Sequence, residues 1–145
     1  MFEDVKVRDW MTANVITTRP NTAISAAHQI MRENNVRRLP VVNDKKLLGL
    51  VTIGDVREAS PSDATTLSIW ELNYLWAQLV VEKIMTRRVF TVMPDTSILD
   101  AAELMLEHKI SGLPVVNAQD ELVGVITESD IFRMIVQTRR DTIAM

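Results

Sequence analysis

The chain repeats itself, and that duplication limits what it can fold into. Residues 7–43 laid over residues 81–117, at a constant offset of 74, give sixteen identities in thirty-seven positions, where unrelated segments would give about two. Val7-Arg-Asp-Trp-Met-Thr12 opens one copy and Val81-Glu-Lys-Ile-Met-Thr86 the other. Leu39-Pro-Val-Val-Asn43 returns unchanged as Leu113-Pro-Val-Val-Asn117. Beyond the shared asparagine the offset becomes 75, so that Gly49-Leu-Val-Thr-Ile-Gly-Asp55 lies over Gly124-Val-Ile-Thr-Glu-Ser-Asp130. The extra residue falls in a polar stretch where a hairpin loop absorbs an insertion without moving either strand. The period is too long for a solenoid and indicates two copies of one subdomain. A copy of about fifty residues is marginal alone, so the two are expected to pack on each other.

Composition narrows the class. The 145 residues are 47% apolar and 24% charged, the balance of a globular protein and not of a disordered or fibrous one. No apolar run approaches the roughly 20 residues of a membrane helix, and the charged opening Met1-Phe-Glu-Asp-Val-Lys is no signal peptide. Sixteen basic against nineteen acidic residues leave a net charge of −3, which supplies no positive field for nucleic acid or anionic lipid. Without cysteine there are no disulfides and no thiolate chemistry. The expectation is a cytoplasmic domain with neither a nucleic-acid nor a membrane partner.

Each copy reads as β-α-β-β-α. Val15-Ile-Thr-Thr and Val89-Phe-Thr-Val have strand composition and run into Pro20 and Pro94. Asn21-Thr22 and Asp95-Thr96 suit helix N-caps. Ile24, Ala27, Ile30 and Met31, and in the second copy Ile98, Ala101 and Met105, then fall at helical spacing. The apolar runs 39–42 and 47–51, and again 113–116 and 122–126, flank polar turns as hairpins. A second helix begins near Asp55 and near Asp130, the latter with a stripe of Ile131, Met134 and Ile135. The fold class is therefore α+β. It comprises two pseudo-symmetric repeats packed sheet to sheet with helices outside, repeat 1 over 5–59, a linker over 60–80, repeat 2 over 81–137 and a tail over 138–145. Ser68 and Glu71 have capping-box spacing, which predicts a linker helix over 67–79. Its wide apolar surface, with Trp70, Tyr74 and Trp76, could dock on the same chain or meet a second copy. Ala26, Ala27 and Met31, with Ala101, Ala102 and Met105, also lie on helix faces that could meet a second copy.

The chemistry-bearing element is the repeated turn Thr52-Ile-Gly-Asp55 and Thr127-Glu-Ser-Asp130. A strand passing into a helix there presents unpaired N–H groups to an anion. The carboxylate three residues on can accept both hydrogens of a ribose cis-diol. Thr-x-x-Asp is also close to a capping box, which any helix can use for its own stability. Catalytic arrangements are scarce. His28 and His108 have no Ser/Asp constellation or i+4 histidine, there is no glycine-rich phosphate loop, and Arg87-Arg88 and Arg139-Arg140 are short solvated pairs.

Leu-Pro-Val-Val followed by Gly-apolar-apolar-Thr-x-x-Asp, present twice and in order from Val5 to Gln137, resembles the CBS repeat. Two in tandem are similar to a Bateman module. Arg57-Glu-Ala-Ser-Pro-Ser with Glu71-Leu-Asn-Tyr-Leu75 further resembles bacterial CBS pairs of the acetoin-utilisation type. Some of these carry an extra C-terminal domain, which a chain ending at Met145 is expected to lack. The resemblance implies a non-catalytic regulatory module that binds adenosine-containing ligands (AMP, ADP, ATP, S-adenosylmethionine or NAD) in the clefts between the repeats. It would signal to a separate protein target as a homodimer. In this family the aspartate holds ribose, the threonine lies near ribose or phosphate, and the first strand and the apolar-Pro strand sandwich adenine. Carried over, these are Asp55 and Asp130, Thr52 and Thr127, Ile16-Thr17 and Phe90-Thr91, and Leu39-Pro40 and Leu113-Pro114. The similarity to kinase γ subunits adds Arg38 as a phosphate contact, whereas the second copy has Ser111-Gly112 there. Glu128, in place of Ile53, disfavours a highly charged ligand beside the second turn. No cofactor is required, Mg²⁺ entering only as a companion of ATP. The competing reading is a ligand-free dimerisation scaffold.

Overall fold

Two hairpins anchor the architecture, and their turns explain why they form. In the computed structural model, which describes residues 1–60 and 68–144, the chain runs α1 (Val7–Trp10), α2 (Ile24–Glu33), β1 (Arg38–Asn43), β2 (Lys46–Thr52), α3 (Ile53–Ala59) and α4 (Ile69–Gln78). A 3₁₀ turn at Val81–Lys83 precedes α5 (Ile98–His108), β3 (Gly112–Val116), β4 (Leu122–Thr127) and α6 (Glu128–Ala144). β1 and β2 form one two-stranded antiparallel sheet and β3 and β4 another, giving a mixed α+β protein. Asp44 and Lys45 are both left-handed, with φ of 49° and 69°, which is the two-residue turn whose twist matches paired strands. Both hairpins shift register between their two adjacent valines, at Val41/Val42 and Val115/Val116. No helix among the described residues is long and apolar enough to cross a membrane.

The chain divides into two units, Ile16–Val89 and the pair of segments Met1–Val15 with Phe90–Met145. Sequence copies and structural units are thus cut at different places, because each copy's opening segment packs with the other copy. In the contiguous unit Val81 is buried with Ile24, Ala27, Met31, Leu39, Val41 and Val51, and its N–H donates to the Thr22 carbonyl at 2.8 Å. In the split unit Val7 is buried with Ile98, Ala101, Met105, Leu113, Val115 and Ile126, and its N–H donates to the Thr96 carbonyl at 2.9 Å. Met-Thr at the end of each lead segment then lies against a hairpin strand. Thr86 exchanges backbone hydrogen bonds with Leu50, and Thr12 with Val125. A Cβ on Gly49 would come 2.7 Å from the Thr86 carbonyl oxygen and 2.8 Å from Met85 Sδ. One on Gly124 would come 2.7 Å from Met11 Sδ and 3.0 Å from the Thr12 carbonyl. Repeated glycine and repeated Met-Thr are one feature seen from two sides.

The expected first strands contract to a single rung. Thr18 N–H donates to the Pro40 carbonyl at 3.0 Å and Val42 N–H to the Thr18 carbonyl at 2.9 Å, a parallel bridge. The rung before it would need the N–H of residue 40, and the rung after it the N–H of residue 20. Both are prolines and have none. The second copy behaves identically, with Val92 N–H on the Pro114 carbonyl and Val116 N–H on the Val92 carbonyl, between Pro94 and Pro114. The expected caps also move. Ala23 and Ser97 hold the cap positions, while Thr22 and Thr96 accept from the N–H groups of Arg19 and Met93 and close the preceding turn.

The helices bury the stripes their spacing predicts at Ile24, Ala27 and Met31 and at Ile98, Ala101 and Met105. Ala27, Met31, Ala101 and Met105 therefore fill their own cores and are not available to a second copy. In α6 Met134 is buried, Ile131 packs partly, and Ile135 is exposed. α6 continues through Ala144, so residues 138–144 are helical. Ser68 Oγ accepts from Glu71 N–H at the start of α4, leaving Trp70 and Tyr74 exposed and Trp76 partly packed against the other unit-mates of α2. The proline-containing start of the linker, residues 61–67, lies outside the described residues.

Two stability measurements follow. Gly49→Ala forces a methyl onto backbone and should cost about 1–3 kcal/mol. Gly54→Ala, whose Cβ meets only Thr52 Oγ1 at 3.5 Å, should be neutral or stabilising by up to ~1 kcal/mol, and thermal unfolding of the two variants reads the difference. Thr18 is 4% exposed and its hydroxyl has no hydrogen-bond partner among the described residues, whereas the second copy has Val92 in that place. Thr18→Val should therefore raise stability by about 1 kcal/mol, seen as a higher denaturation midpoint at unchanged m-value.

Candidate functional site

In the contiguous unit the strand register gathers the candidate residues at one end of the hairpin. Arg38 stands opposite Thr52 and Leu39 opposite Val51. Ile16 and Thr17 immediately precede Thr18, which bridges Val41 of the same strand. Where β2 ends, Thr52 caps α3. Its Oγ1 accepts from the Asp55 N–H at 3.2 Å, and Asp55 Oδ2 accepts from the Thr52 N–H at 2.9 Å. The reciprocal pair fixes the carboxylate against the strand end, half-buried. Ile53 N–H donates to the Arg37 carbonyl at 2.8 Å, tying the helix start to the strand that carries Arg38. Leu39 is wholly buried in the core and Pro40 is buried, so what this strand offers at the end is Arg38 and backbone. Ile16 is exposed and Thr17 half-buried.

The split unit repeats this layout with different chemistry. Gly112 is opposite Thr127 and Leu113 opposite Ile126. Glu128 N–H donates to the Ser111 carbonyl at 3.0 Å. Where Arg38 stands in the first copy there is no side chain. Asp130 is 1% exposed. Its Oδ2 accepts from the Thr127 N–H at 2.8 Å and the Thr127 hydroxyl at 3.1 Å, and the Asp130 N–H donates to Thr127 Oγ1 at 3.4 Å. Its Oδ1 takes the Arg133 guanidinium in a charge-assisted bond. A carboxylate this deep needs such partners, since an unpaired buried charge is costly. Leu113 and Pro114 are buried and Thr91 half-buried. Phe90 stacks on His108 with ring centroids 3.8 Å apart and planes 19° from parallel, so one ring face is already covered by imidazole.

Two features of this site, Arg133 on Asp130 and the stacking of Phe90 on His108, are not among the sequence expectations. Arg133 is three residues beyond Asp130 on the same helix, a spacing that brings side chains together, and that spacing was visible. The Phe90–His108 stack joins residues from two elements and has no local signal. Among the described residues no three His, Cys, Asp or Glu side chains are grouped as metal ligands would be. A shallow open groove along α2 and α4, lined by Ser25, His28, Gln29, Arg32, Glu33 and Trp76, contains none of the candidate residues. The Thr-x-x-Asp turns stand out for their fixed donors and acceptors and not for depth.

Comparison with known proteins gives the family. The CBS domain matches at residues 7–62 and 81–137. AcuB of Vibrio cholerae, a structure assigned to acetoin utilization, is 30% identical with a TM-score of 0.80, over 97% of each chain. CBSX2 of Arabidopsis thaliana, solved in complex with AMP, is 32% identical with a TM-score of 0.77, over 92% of this chain and 98% of that one. The CBS domain pair of protein MJ0100, in complex with 5-methylthioadenosine and S-adenosyl-L-methionine, is 30% identical with a TM-score of 0.74, over 92% and 98%. The first curated relatives it matches are longer proteins, several named as enzymes, and the chain spans between 23% and 47% of their length. With both copies matched and the two-hairpin α+β architecture shared, the chain belongs to the CBS-domain family, as a tandem pair.

Proposed function

We propose that this CBS pair is a non-catalytic regulatory module of the cytoplasm that binds an adenosine-containing ligand and passes its occupancy to a partner protein. The observation that carries this reading is the duplicated turn in which a threonine and an aspartate lock each other at the end of a hairpin strand. It holds the carboxylate rigidly through reciprocal hydrogen bonds between the two residues. A rigid carboxylate suits a cis-diol, because both hydroxyls find acceptors without reordering the site. AMP, S-adenosylmethionine and methylthioadenosine, named with the related structures, have adenosine in common, and adenosine is what this turn is equipped to hold. Arg38, opposite Thr52, would supply the planar donors for a phosphate. Thr52, Ile16, Thr17 and the Leu39-Pro40 backbone would line the nucleoside. Thr127, Asp130, Phe90, Thr91, Leu113 and Pro114 are their counterparts. Mg²⁺ would accompany ATP alone.

Calorimetric titration tests the reading. AMP should bind at micromolar affinity, roughly −7 to −8 kcal/mol. Asp55→Asn keeps an oxygen to accept from the Thr52 N–H, so the cap and the melting temperature survive, but it removes the charge and turns a donor toward the diol. Affinity should fall at least tenfold, about 1.4 kcal/mol. Arg38→Ala should weaken AMP and leave adenosine nearly unchanged. Wild-type affinity in both variants would reduce the turns to helix caps and leave a ligand-free scaffold.

The same reading pairs the chain with a second copy. Trp70 and Tyr74, on one face of α4 and both mostly exposed, are aromatic area of the kind interfaces use. Light scattering at micromolar concentration should give twice 16.4 kDa, and a monomer with and without AMP would remove the dimer from the mechanism.

A further inference from the structure

We propose that Arg133 is a gate on the ribose carboxylate of the split unit, so that one chain holds one adenosine ligand, at Asp55. The inference deepens the adenosine reading and rests on it. Both oxygens of Asp130 are engaged. Oδ2 takes two donors from Thr127, and Oδ1 takes the Arg133 guanidinium. A cis-diol approaching this carboxylate has to displace a cation from Oδ1 of a residue that is only 1% exposed. Arg133 itself is 62% exposed and is held by one end only. It can swing into solvent without disturbing the core, which makes it a gate and not a fixed wall.

The contiguous unit has the opposite arrangement. One turn after Asp55 stands Glu58 where Arg133 stands after Asp130. An exposed acid there cannot bond the Asp55 carboxylate and leaves it half-buried beside the Thr52 cap. Two further differences run the same way. Arg38 becomes Gly112, removing a phosphate donor, and Ile53 becomes Glu128, adding a negative charge at the helix start. Three substitutions at separate positions all favour the same copy. The duplication has therefore diverged into one site ready for a nucleotide and one closed by its own arginine.

Counting bound ligand tests the gate. The wild-type chain should bind one AMP in calorimetry, lost in Asp55→Asn. Arg133→Met keeps the side-chain stem and removes the guanidinium, and should reveal a second AMP per chain, which Asp130→Asn in the same background removes. The converse variant, Glu58→Arg, brings a guanidinium to Asp55 and should weaken adenosine, a probe without phosphate, at least tenfold. Two AMP per wild-type chain, a single AMP per Arg133→Met chain, or unaltered adenosine affinity in Glu58→Arg would each overturn the gate while leaving the adenosine reading intact. If neither wild type nor any variant binds AMP or adenosine, the adenosine reading itself fails and the gate with it.

Discussion

The contact on which both units depend is a backbone passing over a glycine. Thr86 pairs with Leu50 and Thr12 with Val125 because the residue beside each, Gly49 or Gly124, has no side chain to hold the strands apart. That close approach brings Val81 and Val7 into their cores. It gives a two-stranded sheet, marginal in water by itself, a third segment bonded to its outer strand. Helices α2 and α5 then close the cores with stripes of matching residues, and the Thr-x-x-Asp turns are fixed at the ends of strands already immobilised on both sides.

The fold was legible wherever a local pattern decides the outcome. The hairpins follow from Leu-Pro-Val-Val and the glycine-containing runs around a turn that tolerates left-handed residues. The buried faces of α2 and α5 follow from 3.6-residue spacing. The destination of the lead segments was not legible, because the duplication makes it degenerate. Met11-Thr12 and Met85-Thr86 are the same dipeptide, and Gly49 and Gly124 are equally able to receive either. The first strands illustrate another gap. Their β-branched composition argued for pairing, and the prolines that limit pairing sit on both partners of the ladder, so their joint effect appears only once the register is known.

The candidate site was legible in type more than in state. Threonine and aspartate at i and i+3 after a strand gave both the cap and the carboxylate, and the structure has both in one arrangement. What a residue list could not convey is how differently the two aspartates are surrounded. Asp55 and Asp130 are identical in motif, yet one is half-buried and the other wholly enclosed with a guanidinium on it. Burial depends on what packs above the helix start, and that is a property of the assembled unit. Phe90 shows the same limit, since His108 reaches it from α5 with no hint in the spacing.

The exchange of lead segments orders the protein's own synthesis. Every part of the contiguous unit has been synthesised once Val89 is added, so this half can condense while the rest of the chain is still growing. The other half begins with Val7, Trp10 and Met11, and their partners include Ile98, Leu113 and Ile126. For more than a hundred residues of elongation these apolar side chains have no core of their own. At translation rates of about 5–20 residues per second, that interval lasts roughly 5 to 20 seconds or more, during which a second nascent chain on the same messenger offers an equivalent glycine. Swapping of the first fifteen residues between neighbouring chains is thus the misassembly to which this topology is most exposed.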